Sequence, residues 1–258
     1  MSSPDHLNPS ELGTKEYWNT LYTRELTNHT SNPTDIGTIW FDDSDAETKM
    51  IQFLNTLPLP QDTTFLDLGC GNGSILLSLR EDFPGRALGV DYSPQSIALA
   101  KQVASAKDLE DIEFQEWDII GGSYDAVLTD AQKDGWDVVL DKGTFDAISL
   151  SEQKEQGRRL CELYPRRVVP LVKKGGVFLV TSCNWTEEEL TNWFTGEDAG
   201  GKDHGTSTLL ESLTSFGLFS YIRPHLPFPI SVIWQTSLRF AQLIILPRPR
   251  QHLACVEI

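Results

Sequence analysis

The chain has 258 residues, 40% of them hydrophobic and 22% charged, with 21 Lys and Arg against 37 Asp and Glu and a formal net charge of −16. That mixture fits a soluble globular protein of one to two domains, and no stretch approaches the roughly 20 apolar residues of a membrane span. So negative a surface disfavours direct binding to phosphate backbones, which relies on Lys and Arg displacing counterions. It suits a basic protein partner, although acidity that serves only solubility accounts for it equally well.

Residues 1–6 carry neither the basic start nor the apolar core of a signal peptide, so secretion is not expected. Residues 1–43 are polar and turn-rich, with Asn32-Pro33-Thr34-Asp35 a loop. Within them, residues 15–26 place Tyr17, Trp18, Leu21, Tyr22 and Leu26 near helical spacing, which predicts an amphipathic helix packed on the main body. Ser44-Asp45 opens a second helix, with Met50, Ile51, Leu54 and Leu57 on one face and Pro58 at its end. From residue 64 strands and helices alternate: a strand over 64–68, a glycine-rich turn, a helix over 74–80, and a strand over 86–91. Ser93 then caps a helix, with Pro94 in its first turn, that runs to about residue 106. Short strands follow at 112–114 and 136–140. A long helix is expected over about 152–172, then a strand over 177–181 and helices over 186–193 and 206–215. This alternation implies right-handed β-α-β units and a mostly parallel, doubly wound α/β sheet covered on both faces. Residues 1–60 are read as a helical extension or lid, and residues 61–258 as the main domain.

The four cysteines, Cys70, Cys161, Cys183 and Cys255, lie far apart and form no Cys-x-x-Cys pair. That argues against a thiolate zinc site and a disulfide framework, and for reduced thiols in a cytoplasmic or nuclear setting. His6, His29, His204, His225 and His252 show no metal-ligand spacing and are read as surface residues, so no metal is expected.

The strongest local signal is Leu66-Asp67-Leu68-Gly69-Cys70-Gly71-Asn72-Gly73, a strand running into a glycine-rich turn before a helix. Without β-carbons the backbone of Gly69, Gly71 and Gly73 can turn sharply and approach a ligand, while the helix N-terminus offers free N–H groups. Such a turn alone is shared by nucleotide, flavin and phosphate sites. Here the glycines run G-x-G-x-G rather than G-x-G-x-x-G, and Asp67 sits two residues before the first. A carboxylate there opposes a pyrophosphate but suits a cationic ligand carrying an amino group and a sulfonium. Asp91 ends the second strand, where an acidic residue can accept both hydrogen bonds of a ribose diol. Asp118 follows the third strand beside Trp117, placed to accept from an adenine amino group with an apolar neighbour against the ring. Each aspartate alone would be read as a surface residue or a cap. Three at successive strand ends are another matter, because open α/β sheets bind ligands at those ends.

The set D-L-G-C-G-N-G, V-D-Y-S and W-D resembles the class I S-adenosylmethionine-dependent methyltransferases over about residues 60–222, which implies a Rossmann-like, seven-stranded sheet and that cofactor. A second set comprises residues 13–18 (GTKEYW), Trp40-Phe41, residues 141–148 (DKGTFDAI) and residues 181–186 (TSCNWT). It resembles the lysine methyltransferases that act on translation elongation factor 1-alpha. The resemblance implies a folded protein substrate, a cytoplasmic location, and cofactor contacts at Trp40, Asp67, Gly69, Asp91, Tyr92 and Asp118. We add Gly71, Gly73 and Trp117 to that set and expect a monomer, with neither nucleic acid nor membrane as partner.

Asp141 follows the fourth strand, where a carboxylate could hold an incoming ammonium and help its proton leave; capping the loop through backbone N–H groups is the equal alternative. Asn184 and Trp185, beyond the fifth strand, could line a lysine channel, with Trp185 as core the stronger reading. Trp40-Phe41 is read as a lid or as plain packing of the N-terminal helix. Class I folds finish with an antiparallel hairpin. Residues 217–222 could supply its first strand and residues 237–246 its last, but from about residue 223 the family's glycine-rich segment gives way to prolines. Three other functions compete: methyl transfer to a small molecule or another protein, a scaffold without catalysis, and a nicotinamide-dependent oxidoreductase. The glycine spacing disfavours the last, and the intact aspartates disfavour the scaffold.

Overall fold

The computed structural model describes residues 6–195, 231–232 and 242–247. Two helices precede the sheet. Helix α1 (Lys15–Ser31) is capped by Thr14, whose hydroxyl accepts from Tyr17 N at 3.3 Å; α2 (Ala46–Leu54) follows a strap that runs back over the body. Alternation then sets in with β1 (Phe65–Leu68), α3 (Ser74–Leu79), β2 (Ala87–Asp91), α4 (Pro94–Ser105), β3 (Glu113–Glu116) and β4 (Trp136–Lys142). As expected, Ser93 caps α4, accepting from Ser96 N at 3.4 Å, with Pro94 at the first helical position. Helix α5 (Thr144–Ser149) comes next, then a small antiparallel pair, β5 (Lys154–Glu155) and β6 (Arg158–Arg159). Helix α6 (Leu160–Val168), β7 (Val172–Ser182) and α7 (Glu187–Thr195) complete the body.

Strands β3-β2-β1-β4-β7 form a five-stranded parallel sheet. At its edge, β9 (Gln242–Pro247) runs parallel to β7, and β8 (Ser231–Val232) pairs antiparallel with β9. The strand expected over 237–246 is thus present in part, parallel to β7 and antiparallel to β8. The expected helix at 206–215 and strand at 217–222 lie outside the described residues.

One expected element is replaced. The long helix over 152–172 is a hairpin followed by the shorter α6. Gln156 and Gly157 both take positive φ, 53° and 81°, the backbone of a tight two-residue turn between antiparallel strands. Helix α5 was not anticipated. His29 is not a surface residue either: it is buried, its Nδ1 2.7 Å from the Asp35 carbonyl oxygen.

The parallel register pairs Asp67 with Leu140 and Leu68 with Asp141. Because side chains alternate across a strand, this decides which residues share a face. Leu140 and Val138 join Met50, Leu76 and Leu99 in the core under α2, α3 and α4. On the other face Leu66, Leu68 and Val139 pack with Phe145, Tyr164, Trp185 and Phe194 from the α5–α7 side. Trp185 lies in this aromatic layer, its ring 5.7 Å from that of Trp193, and so belongs to the core. Fully burying each such apolar side chain contributes about 1.5–3 kcal/mol.

Candidate active site

The carboxyl ends of β1, β2, β3 and β4 open into one cleft of about 290 Å³. Asp67, Asp91 and Asp118, from three successive strand ends, all line it. So do Gly69, Gly71, Tyr92, Trp117 and Trp40, eight of the nine residues expected to hold the cofactor. Gly73 does not. It opens α3 at φ 78°, and a β-carbon there would stand 2.6 Å from the Phe114 ring, so its smallness serves helix-to-sheet packing.

The three carboxylates differ in their surroundings. Asp91 is buried, and its Oδ1 accepts from Ser93 N at 2.8 Å while Oδ2 accepts from Gly71 N at 3.3 Å. The Ser96 hydroxyl lies 2.9 Å from Oδ2 and 2.8 Å from the Gly71 carbonyl oxygen; its single proton can serve either. Burial raises the Asp91 carboxyl above its ordinary range, opposed by these donors and by Lys15. Asp67 is 2% exposed and accepts no hydrogen bond from the described residues. Burial pushes it well above the ordinary range, Lys142 opposing and Glu47, Asp141 and Asp91 adding to the rise. Asp118 is exposed, with Oδ1 accepting from Ile120 N at 2.9 Å. Trp117 is fixed beside it by an Nε1–H bond to the Ser123 carbonyl at 2.9 Å.

One wall comes from outside the sheet. Lys15, Trp18 and Tyr22 share one face of α1 and line the cleft. The Lys15 ammonium lies 5.1 Å from the centre of the Tyr92 ring, beside Asp91; burial and the carboxylates of Asp91 and Asp118 raise the Tyr92 phenol. Trp40, on the strap before α2, meets Trp18 edge to face at 5.3 Å and lies directly on Gly143, where a β-carbon would stand 2.7 Å from its ring. Lys142 donates to the Trp40 carbonyl at 3.0 Å and pairs with Glu47 at 3.4 Å; Glu47 in turn accepts from the Ser74 hydroxyl. On the far side the cleft is apolar, with Ile119, Ile120, Ile148 and Leu160.

Neither residue expected at the reaction centre lines the cleft. Asp141 is fully buried on the opposite face, its Oδ1 accepting from Thr144 N at 2.8 Å and its Oδ2 from Tyr164 Oη at 2.5 Å and Phe145 N at 3.1 Å. Its oxygens are taken up by these protein donors. Of the two roles open to it, the geometry is that of the cap: it organises the start of α5, where Thr144 Oγ1 donates to the Leu68 carbonyl at 2.6 Å and braces the glycine turn. Burial pushes its carboxyl up to about 7 despite the Tyr164 hydroxyl. Asn184 sits in the loop after β7. That loop is held by Asp146, which accepts from Ser182 Oγ at 2.5 Å and Cys183 N at 2.7 Å; the Asn184 Nδ2 is buried and has no partner among the described residues.

Glycine turn, strand-end carboxylates and aromatic wall together define a cleft for a nucleoside with a cationic tail. Residues 59–212 match the methyltransferase domain family. The chain is 43% identical over 198 residues to protein-lysine N-methyltransferase EFM4 of Saccharomyces cerevisiae, covering 74% of this chain and 83% of that one. It is 36% identical over 186 residues to human EEF1A lysine methyltransferase 2, covering 72% and 74%. The chain belongs to this family of protein-lysine methyltransferases, and its cofactor is S-adenosylmethionine. The fold itself also matches the crystal structure of the [4+2]-cyclase SpnF, with a TM-score of 0.51 at 18% identity over 76% of this chain and 75% of that one.

The residues present fit that cofactor. Asp67 is a buried carboxylate without a donor among the described residues, Asp91 keeps acceptor capacity beyond its protein partners, and the wall near Asp118 carries the apolar Ile119 and Ile120. Lys15, Trp18, Tyr22, Lys142 and Gly143 were not singled out from the sequence as cofactor-site residues, although Lys15, Trp18 and Tyr22 follow a helical stripe that signals a shared face.

Proposed function

We propose that the protein transfers a methyl group from S-adenosylmethionine to a lysine of translation elongation factor 1-alpha. The observation that carries this is the single cleft shared by Asp67, Asp91 and Asp118, in a chain 43% identical to a protein-lysine N-methyltransferase and 36% identical to an EEF1A lysine methyltransferase. In this reading Asp91 accepts from the ribose hydroxyls, Asp118 and Trp117 hold the adenine, and Asp67 faces the cationic amino-acid end. Gly69 and Gly71 let the backbone approach, while Trp40 and Tyr92 close the cleft from above. The bound cofactor supplies an activated methyl on a sulfonium. The chain's task is then to align a lysine amine with it and to exclude water. An unperturbed lysine has a pKa of about 10.4, so the amine must shed its proton before attack. Asp141 acts at one remove, by fixing Thr144 and the glycine turn, and Asn184, whose buried Nδ2 has no partner among the described residues, is the remaining candidate from the loop after β7.

The sheet is read as that of a class I methyltransferase with seven strands, residues 1–60 forming the helical lid and residues 61–258 the catalytic domain. The net charge of −16 suits a basic folded substrate met by a monomer in the cytoplasm. Among the described residues no helix is long and apolar enough to cross a membrane.

The test is to incubate the purified protein with methyl-labelled cofactor and purified elongation factor 1-alpha, then digest and sequence the labelled peptide. Label on one lysine-containing peptide is expected. An unlabelled factor, with label appearing instead in small molecules or another protein of a whole lysate, overturns the substrate.

A further inference from the structure

We propose that Lys142 binds the carboxylate of the cofactor's amino-acid end, forming with Asp67 a paired reader of that zwitterion. The inference rests on the cofactor lying along Asp67, Asp91 and Asp118, and it adds a contact that the strand-end aspartates cannot make, because an anion needs a cation or N–H donors. Two lysines line the cleft. Lys15 stands over the Tyr92 ring beside Asp91, at the ribose end. Lys142 lies at the other end.

Register explains why. Asp67 pairs with Leu140, and Lys142 is two residues further along β4, so both side chains leave the same face of the sheet. Electrostatically Lys142 acts on Asp67 more strongly than any other charged group does. The Lys142 side chain is 12% exposed, yet its ammonium is only partly engaged. Of its three N–H donors one goes to the Trp40 carbonyl and one faces Glu47, which leaves the third in the cleft wall without an acceptor among the described residues. Asp67, on the same face, is the converse: a buried carboxylate with acceptor sites and no donor among the described residues. A donor and an acceptor left open on one face of the sheet, within reach of each other's field, match an α-amino-acid group, whose ammonium and carboxylate are neighbours.

Two ligands that differ only at the amino-acid end test this. Calorimetry compares S-adenosylhomocysteine with methylthioadenosine, which lacks the amino and carboxyl groups, on wild type, Lys142→Met, Lys142→Arg and Lys15→Met. Lys142→Met is expected to weaken S-adenosylhomocysteine about ten- to a hundredfold and methylthioadenosine by less than about threefold, with Lys142→Arg recovering part of the loss. Equal loss for both ligands assigns Lys142 to holding Trp40 and overturns the proposal. So does an unchanged S-adenosylhomocysteine affinity, or a selective loss in Lys15→Met in its place. A wild-type protein that binds neither ligand refutes the underlying cofactor reading instead.

Discussion

Replacing Asp91 by Asn separates ligand recognition from folding. A carboxylate offers about four acceptor sites. Ser93 N occupies one on Oδ1 and Gly71 N one on Oδ2, and the Ser96 proton can turn to the Gly71 carbonyl, so one site on each oxygen remains for a ribose diol. The amide keeps its oxygen on Ser93 N, the buried donor with the shortest bond, and places its NH2 where Oδ2 stood. One ribose acceptor is lost and the NH2 faces the Gly71 N–H, donor against donor. Losing a hydrogen bond to a charged acceptor costs about 1.5–3 kcal/mol of binding, whereas the donor conflict is already present without ligand and falls on folding. S-adenosylhomocysteine should therefore bind roughly ten- to a hundred-and-fiftyfold more weakly by calorimetry. Folding should suffer much less, because burial already disfavours the Asp91 charge that the amide removes. A melting curve within about 1 kcal/mol of wild type is expected for the ligand-free variant. Full S-adenosylhomocysteine affinity in a well-folded Asp91→Asn protein would show that the ribose is not held here.

Gly143→Ala forces a β-carbon into the left-handed region, φ 86°, and against the Trp40 ring. About 1–2 kcal/mol of stability should be lost, a fall of roughly 2–8 °C in melting temperature, together with slower methyl transfer; an unchanged melt and rate would free Trp40 from this contact. Asp141 and Asp146, raised by burial to about 7 and about 6, bind more protons folded than unfolded between the ordinary carboxylate value and those figures. Their contribution to unfolding free energy therefore falls as pH rises through that window and levels off above it, the reverse of the paired Glu113 and Asp137, whose lowered values make them lose stability in stronger acid. Tyr164→Phe removes the donor that favours the charged Asp141, so its destabilisation should be larger at about pH 8 than at about pH 5.5 in denaturant titrations. The same loss at both pH values would mean that the hydroxyl does not act through the carboxylate.

Much of this arrangement could be read from the residues. Apolar runs between glycine and proline punctuation located β1, β2 and β4, and the Ser93-Pro94 pair located the start of α4 within a residue. The strand-end aspartates were legible because a parallel sheet leaves only one edge where its loops can hold a ligand. What failed did so for local reasons. Leu160, Cys161, Tyr164 and Val168 carry a true helical period, and residues 152–159, with no buried apolar side chain to contradict it, extended the helix backwards over a hairpin. Helix α5 has six residues, too few to show a period. Trp18 and Tyr22 of α1 were visible as part of an amphipathic face, but periodicity cannot say whether a face meets a core or a ligand, and Lys15 lay outside the apolar stripe.

Burial alone does not mark the functional carboxylates. Asp67, Asp91, Asp141 and Asp146 are all buried, and desolvation raises all four. They separate only when donors are counted. Asp141 is taken up by Thr144 N, Phe145 N and Tyr164 Oη, and Asp146 by Ser182 and Cys183, so their cost of desolvation is met inside the fold and what they support is the position of α5 and the loop after β7. Asp91 is met in part. Asp67 is met by no hydrogen bond among the described residues, only by the field of Lys142. A buried carboxylate left in that state destabilises the protein until something cationic enters the cleft, so the stabilisation withheld from folding becomes available to binding. The alternation of side chains along β4 makes the division: with Leu68 opposite Asp141 and Asp67 opposite Leu140, the aspartate of the Asp141-Lys142 pair turns into the core and the lysine turns toward the ligand.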